Sequence, residues 1–188
     1  MEIDKLKTRL SDRTPLSMLS WDKEHKVSLI NDRKHRACNF DALTEKVCMA
    51  LRGGQSSSSC DAYLEKDGVH WFIEFKNEPA KNVDRNEIWQ KAYDTIATMR
   101  MAVNQTITLD DLCRNTILLV VFQDEEEKGL DAFKQKSAGF AKEEYPVYWE
   151  LRKIEGKLYR EVHTIPKSVF CDQWIPQIWG FQDIQQGV

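Results

Sequence analysis

Asp67-Gly68 separates two runs of alternating residues, 60–66 and 69–76, and this dipeptide restricts the fold more than any other feature of the chain. A two-residue type I′ loop needs positive φ at both positions, which aspartate tolerates and glycine adopts freely, so the pair marks a β-hairpin. Taking those two residues as the loop fixes the register: Lys66 faces Val69, Leu64 faces Trp71 and Asp61 faces Glu74. Directly opposed side chains share a face, with Cβ atoms about 4.5–5.5 Å apart. Lys76 lies two residues beyond Glu74 and points to that same face, about 7 Å along the strand. Two carboxylates and an ammonium therefore converge at the open end of the hairpin. Of its two faces, Cys60, Ala62, Leu64, Val69, Trp71, Ile73 and Phe75 form the core side; Asp61, Tyr63, His70, Phe72, Glu74 and Lys76 occupy the other.

The elements around the hairpin follow from periodicity. Residues 1–39 are polar and mixed, with a short helix near the start and a strand around residues 26–30 as candidates. Asp41 is a suitable N-cap for a helix to about Arg52, whose stripe is Phe40, Leu43, Val47, Ala50 and Leu51. Gly53-Gly54 stops it, and a serine-rich connector leads into Asp61. A second helix, residues 84–103, starts at Asp84 and carries Ile88, Ala92, Ile96, Met99 and Val103 on one stripe. Residues 116–122 are continuously apolar, the pattern of a strand buried on both faces. An acidic turn and a weaker helix over residues 130–143 come next. Residues 147–165 read as a second hairpin, in which a Gly156-Lys157 turn pairs Ile154 with Tyr159 and Leu151 with Val162. The tryptophan-rich tail from Ser168 packs back on the domain. This is an α/β domain with a mixed central sheet, flanking helices and an added C-terminal hairpin.

At 188 residues the chain reads as a single domain, 1–188, large enough to bury a core. No apolar run reaches membrane-spanning length, and Met1-Glu2-Ile3-Asp4-Lys5 lacks a secretory pattern. Five scattered cysteines, odd in number and without metal-ligand spacing, fit reduced thiols and a cytoplasmic protein. The net charge of −3 shows no basic surplus of the kind that dedicated nucleic-acid binders carry, although a local basic groove is compatible with it. There is no glycine-rich phosphate loop, nucleophile elbow or dinucleotide fingerprint.

Glu-x-Lys alone means little, since it occurs at Glu24–Lys26, Glu74–Lys76, Glu126–Lys128 and Glu155–Lys157. Only Glu74–Lys76 ends an alternating apolar strand and pairs by register with an aspartate. One reading is an exposed strand end where Lys76 offsets two acids. The other is a metal site, since opposed like charges cost roughly 0.2–1 kcal/mol and a cation between them removes that cost. Oxygen ligands of this kind suit Mg²⁺ or Mn²⁺.

The order helix, hairpin with Asp61 then Glu74-Phe75-Lys76, helix, buried strand resembles the core of the PD-(D/E)xK nuclease superfamily, which includes type II restriction enzymes and Holliday-junction resolvases. The resemblance covers about residues 40–122, leaving 1–39 and 123–188 as additions. It implies a restriction-endonuclease-like fold and hydrolysis of phosphodiester bonds, with DNA ahead of RNA as substrate. It also implies Mg²⁺ or Mn²⁺ on Asp61, Glu74 and the Phe75 carbonyl, and Lys76 acting on water or phosphate. Glu45 and Gln90 are its auxiliary candidates on the two helices; Glu45 lies nearly opposite the apolar stripe, which favours a solvated surface acid, and Gln90 reads at least as well as a helix-surface residue. Cys60 stands where the motif often has proline. The usual strand between first helix and aspartate has only residues 53–60 available, so it is short, missing or replaced by residues 26–30. The alternative function is a catalytically silent nuclease-fold protein, acting as a protein-binding subunit or immunity-type partner in a microbial defence or competition system. A homodimer is compatible with either.

Overall fold

A six-stranded mixed sheet organises the molecule, with the hairpin at its centre. The computed structural model describes residues 10–52, 57–102, 108–124 and 146–180. The sheet contains β1 (Thr14–Pro15), β4 (Arg36–Asn39), β5 (Ala62–Lys66), β6 (Val69–Lys76), β7 (Thr116–Phe122) and β8 (Glu161–Pro166), in the order β1-β4-β5-β6-β7-β8. A separate two-stranded hairpin joins β2 (Trp21–Asp22) to β3 (Val27–Ser28). The helices are α1 (Leu16–Leu19), α2 (Phe40–Arg52), α3 (Arg85–Ala102) and α4 (Leu109–Asn115), followed near the C-terminus by α5 (Lys167–Val169) and α6 (Ile175–Trp179). A π-helical stretch, Phe170–Trp174, joins the last two.

The β5–β6 ladder runs from Lys66↔Val69 through Leu64↔Trp71 to Ala62↔Ile73, the register expected from the turn. Asp67 and Gly68 both have positive φ, at 54° and 73°. Helix α3 then carries the chain to β7, which pairs parallel to β6 and sets Glu74 beside Val120 and Lys76 beside Phe122. All seven residues of β7 are buried, as its continuous apolar run requires.

Both sheet faces are covered, so the hairpin has two core faces where the sequence reading gave it one. Ala62, Leu64, Trp71, Ile73 and Phe75 pack with Leu16, Leu29, Ile30, Phe170 and Ile175. On the opposite face Tyr63 and Phe72 pack with Phe40, Val47, Ile88, Ala92 and Met99. Cys60 belongs to this second layer because it precedes the strand and escapes its alternation.

Three further expectations are corrected. The C-terminal hairpin is absent. Leu151–Ile154 winds as a 3₁₀ turn, and Val162 pairs with Leu118, so β8 extends the sheet as the parallel partner of β7. The apolar β7 needs a neighbour for its other edge, and β8 supplies buried residues at Val162, Thr164 and Ile165. Tyr159, expected opposite Ile154, does donate its N–H to the Ile154 carbonyl at 3.3 Å, but within a turn, and its hydroxyl reaches the Ala92 carbonyl at 2.7 Å, locking this segment onto α3. Asp41 is not the cap of α2. Asn39 Oδ1 accepts the Ala42 N–H at 2.9 Å, and Asp41 lies inside the first turn. Within residues 26–30 only Val27 and Ser28 are strand. The strand beside β5 does come from before α2, but from Arg36–Asn39, with Cys38 opposite Tyr63. The glycine stop at 53–54 and the helix at 130–143 lie outside the described residues.

Candidate functional site

Asp61 sits at the start of the hairpin, one residue beyond the end of the ladder, and is held from both sides. Its carbonyl accepts the Phe40 N–H at 3.0 Å, while the Cys60 N–H donates to Thr95 Oγ1 on α3 at 2.9 Å. Its own carboxylate turns across the hairpin, so that Oδ2 accepts the Phe75 N–H at 2.7 Å. Asp61 and Glu74 therefore do converge, as the register demands. The aspartate also satisfies a main-chain donor of β6, which fixes its orientation.

Glu74 and Lys76 are both buried, at 1% and 9% exposure. Two residues of α3 complete the cluster. Lys91 Nζ lies 2.7 Å from Glu74 Oε1 and 3.8 Å from Asp61 Oδ1, between the two carboxylates. Lys76 Nζ lies 3.2 Å from Glu74 Oε1 and 2.6 Å from Glu87 Oε1. Three carboxylates thus face two ammoniums. The remaining Glu74 oxygen, Oε2, is buried without a hydrogen-bond partner.

The electrostatics follow from burial and from like charges at close range. Burial, reinforced by the neighbouring Glu74, holds the Asp61 carboxyl well above the usual carboxylate range; Lys91 and the Phe75 N–H only partly offset this. For Lys91 burial opposes the charge, yet Glu74 and Asp61 outweigh it and keep the ammonium protonated. Lys76 behaves likewise, with Glu74 and Glu87 overcoming its desolvation.

Lys91 and Glu87 lie outside the register that the hairpin fixes. Residue 91 carries a signal nonetheless: three positions after Ile88 and four before Thr95, it falls on the buried stripe of α3, where a lysine needs partners. Glu87 stands one turn earlier on the same face. The two auxiliary candidates do not join the cluster. Glu45 and Gln90 are both exposed, Glu45 on the solvent side of α2 and Gln90 beside Lys91 but turned outward. The acid that α2 does bring near is Asp41, whose charge adds to the upward push on Asp61 and whose Oδ1 accepts from Ser59. His70 stands opposite Glu65 as the register requires, but its Nδ1 meets the Tyr63 hydroxyl at 3.0 Å.

Asp61, Phe75 and Lys76 open into a cleft of about 330 Å³ whose far wall is the β2–β3 hairpin, including Trp21, Asp22 and His25. Among the described residues no group of three or more His, Cys, Asp or Glu side chains is arranged to hold a metal ion. Two carboxylates are nevertheless enough for Mg²⁺, which keeps several of its waters. Asp61 Oδ1 and Glu74 Oε1 already share one cation, the Lys91 ammonium, and Glu74 Oε2 is a donor oxygen with nothing bound to it. The donor set therefore fits a small hard cation, on condition that Lys91 moves aside. No helix among the described residues is long and apolar enough to cross a membrane. No family model, curated protein or solved structure matches the chain.

Proposed function

We propose that the protein is a metal-dependent nuclease of restriction-endonuclease-like fold that hydrolyses phosphodiester bonds, with DNA as the leading substrate. One observation carries this reading: Glu74 is buried with an oxygen left unpartnered, and its other oxygen shares the Lys91 ammonium with Asp61, which lines the open cleft. An unmade hydrogen bond at a buried polar atom costs roughly 1–3 kcal/mol, and a cation held jointly by Glu74 and Asp61 offsets that cost. Mg²⁺ or Mn²⁺ there, with Asp61, Glu74 and the Phe75 carbonyl as ligands, would acidify a water and neutralise charge on the scissile phosphate. Lys76 is the group beside it. Because Glu74 and Glu87 keep its ammonium charged, it suits stabilising negative charge on phosphate better than taking a proton from water.

The second reading is a catalytically silent protein of this fold acting as a binding subunit or immunity-type partner. Lys91 favours it, since its ammonium already stands between the carboxylates.

One set of measurements separates the two. A nuclease cuts or nicks DNA with Mg²⁺ or Mn²⁺, and Asp61→Ala and Lys76→Ala each remove the activity; unchanged cleavage in both variants rejects the assignment. Lys91→Met gives the independent readout. If Lys91 competes with a cation, the variant gains affinity for Mn²⁺, seen as a rise in melting temperature with Mn²⁺. If Lys91 is the permanent counter-ion, the variant loses about 3–5 kcal/mol of stability and Mn²⁺ restores none of it.

A further inference from the structure

We propose that Trp21 and the basic residues around it form a docking track for an unpaired nucleic-acid strand, leading into the cleft that ends at Asp61 and Lys76. The inference rests on the nuclease reading for its direction, and it names the substrate class as single-stranded.

Trp21 differs from the other five tryptophans. It is 48% exposed, whereas Trp71 is buried and the rest pack partly buried against the two cores. Trp89, Trp149 and Trp179 each donate their indole N–H to a backbone carbonyl, and Trp174 packs edge-on against Trp71. Those five side chains hold the fold together; Trp21 stands on its surface.

Its position joins two clefts. On one side Trp21 walls the cleft that contains Asp61 and Lys76. On the other it walls a second cleft of about 480 Å³, which also contains Met18, Arg33 and Arg36. A strand crossing this ridge meets an indole face and then exposed guanidinium groups. Residues 13–36 carry six Lys or Arg against three Asp or Glu, a local +3 in a chain of net −3. The second cleft is lined by Arg33 and Arg36 and by no carboxylate, whereas Asp22, Glu24 and Glu78 line the first, so it is the second cleft whose charge complements phosphates.

The ridge is preorganised. Ser20, just before Trp21, donates its hydroxyl to the Leu16 carbonyl at 2.9 Å and accepts the Ile30 N–H at 3.0 Å. Ser28, paired with Trp21 across the small hairpin, donates to the Ser17 carbonyl at 2.6 Å. A presented ring of this kind stacks on any base whose face is free, and a base inside a duplex has none to offer. A modest local +3 is also weak compensation for the dense backbone charge of a duplex. Both considerations select a single strand over a double one.

The test is fluorescence anisotropy with a labelled oligothymidylate and with a matched labelled duplex, in EDTA so that no cut can occur. The oligothymidylate binds the wild-type protein more tightly than the duplex does. Trp21→Ala weakens single-strand binding by about tenfold or more, while Trp21→Phe keeps most of it, with melting curves of both variants unchanged. Arg33→Ala and Arg36→Ala each weaken binding and lower its salt dependence by about one ion. Equal affinity in Trp21→Ala and wild type overturns the proposal, as does preference for the duplex or binding of neither, the result expected if the ridge serves a protein partner. Failure of the nuclease reading looks different: single-strand binding persists through Trp21, but no cleavage follows when Mg²⁺ or Mn²⁺ is added.

Discussion

Asp61 is a carboxylate placed at some cost to the fold. Burial and Glu74 raise its folded-state pKa, so the unfolded chain gives up this proton first as the pH rises. Above the ordinary carboxylate range the unfolded state is therefore favoured by this group, and the penalty is complete once the folded carboxyl has ionised as well. A carboxyl raised by one pH unit loses about 1.4 kcal/mol of folding stability in this way. Asn at this position keeps an oxygen for the Phe75 N–H and never ionises. Asp61→Asn is thus expected to melt higher than wild type at neutral pH, by about 2–4 °C per kcal/mol gained. The advantage should fade as the pH falls below the ordinary carboxylate range, where both states hold the proton. Thermal denaturation across pH checks it, and an unchanged or lower melting temperature at neutral pH contradicts the strained-carboxylate account. Stabilisation combined with loss of cleavage is the pattern expected of a group that serves function.

At the scale of elements, the hairpin was legible because two independent signals agree on it. The turn chemistry of Asp67-Gly68 and the alternation of 62–66 and 69–76 specify one register, and a slip by one residue would carry Glu74 and Lys76 into the layer of Ile73 and Phe75. Because packing shares the work of fixing register, Gly68→Val is expected to destabilise without re-pairing the strands. A β-branched residue forced to φ near 73° costs about 1–2 kcal/mol. The melting temperature should fall by several degrees while the near-ultraviolet circular dichroism, sensitive to Trp71 and its neighbours, stays as in wild type; a changed spectrum would show that the turn alone sets the register. Elements without such agreement take their form from the sheet rather than from local pattern. Arg36–Asn39 has too little apolar alternation to announce a strand, and it becomes one because β5 needs a partner on that edge. Segment 161–166 fits either a hairpin arm or a parallel strand, and only the open edge of β7 decides. Two of the five cluster residues depend on packing in the same way. Asp61, Glu74 and Lys76 follow from local register, whereas Lys91 and Glu87 arrive through the packing of α3 on β6; the buried stripe of α3 marks Lys91 as needing partners but does not say which.

For the molecule as a whole, the two faces of the sheet are closed by different parts of the chain. Helices α2 and α3, adjacent in sequence to the hairpin, cover the face that carries Glu74 and Lys76, and α3 brings Lys91 to it. The opposite face depends on residues 16–30 and on the helical segment after β8, which meet over the centre of the sheet. That segment contributes Val169, Phe170, Ile175 and Ile178, all buried, and Trp179 ties it to β4 through the Arg36 carbonyl at 3.0 Å. Each such side chain is worth about 1.5–3 kcal/mol when fully buried, so together they supply an amount comparable to the roughly 5–15 kcal/mol by which a domain is stable at all. Ending the chain after Pro166 leaves every strand in place but uncovers Ile73, Phe75, Leu119 and Val121. The shortened protein is expected to lose its cooperative thermal transition and to bind a hydrophobic dye, while keeping much of its far-ultraviolet signal. A sharp melt within a few degrees of the full chain would mean that residues 16–30 suffice to close this face. The stability of the cleft would then depend on the N-terminal half alone, the same half that carries Trp21.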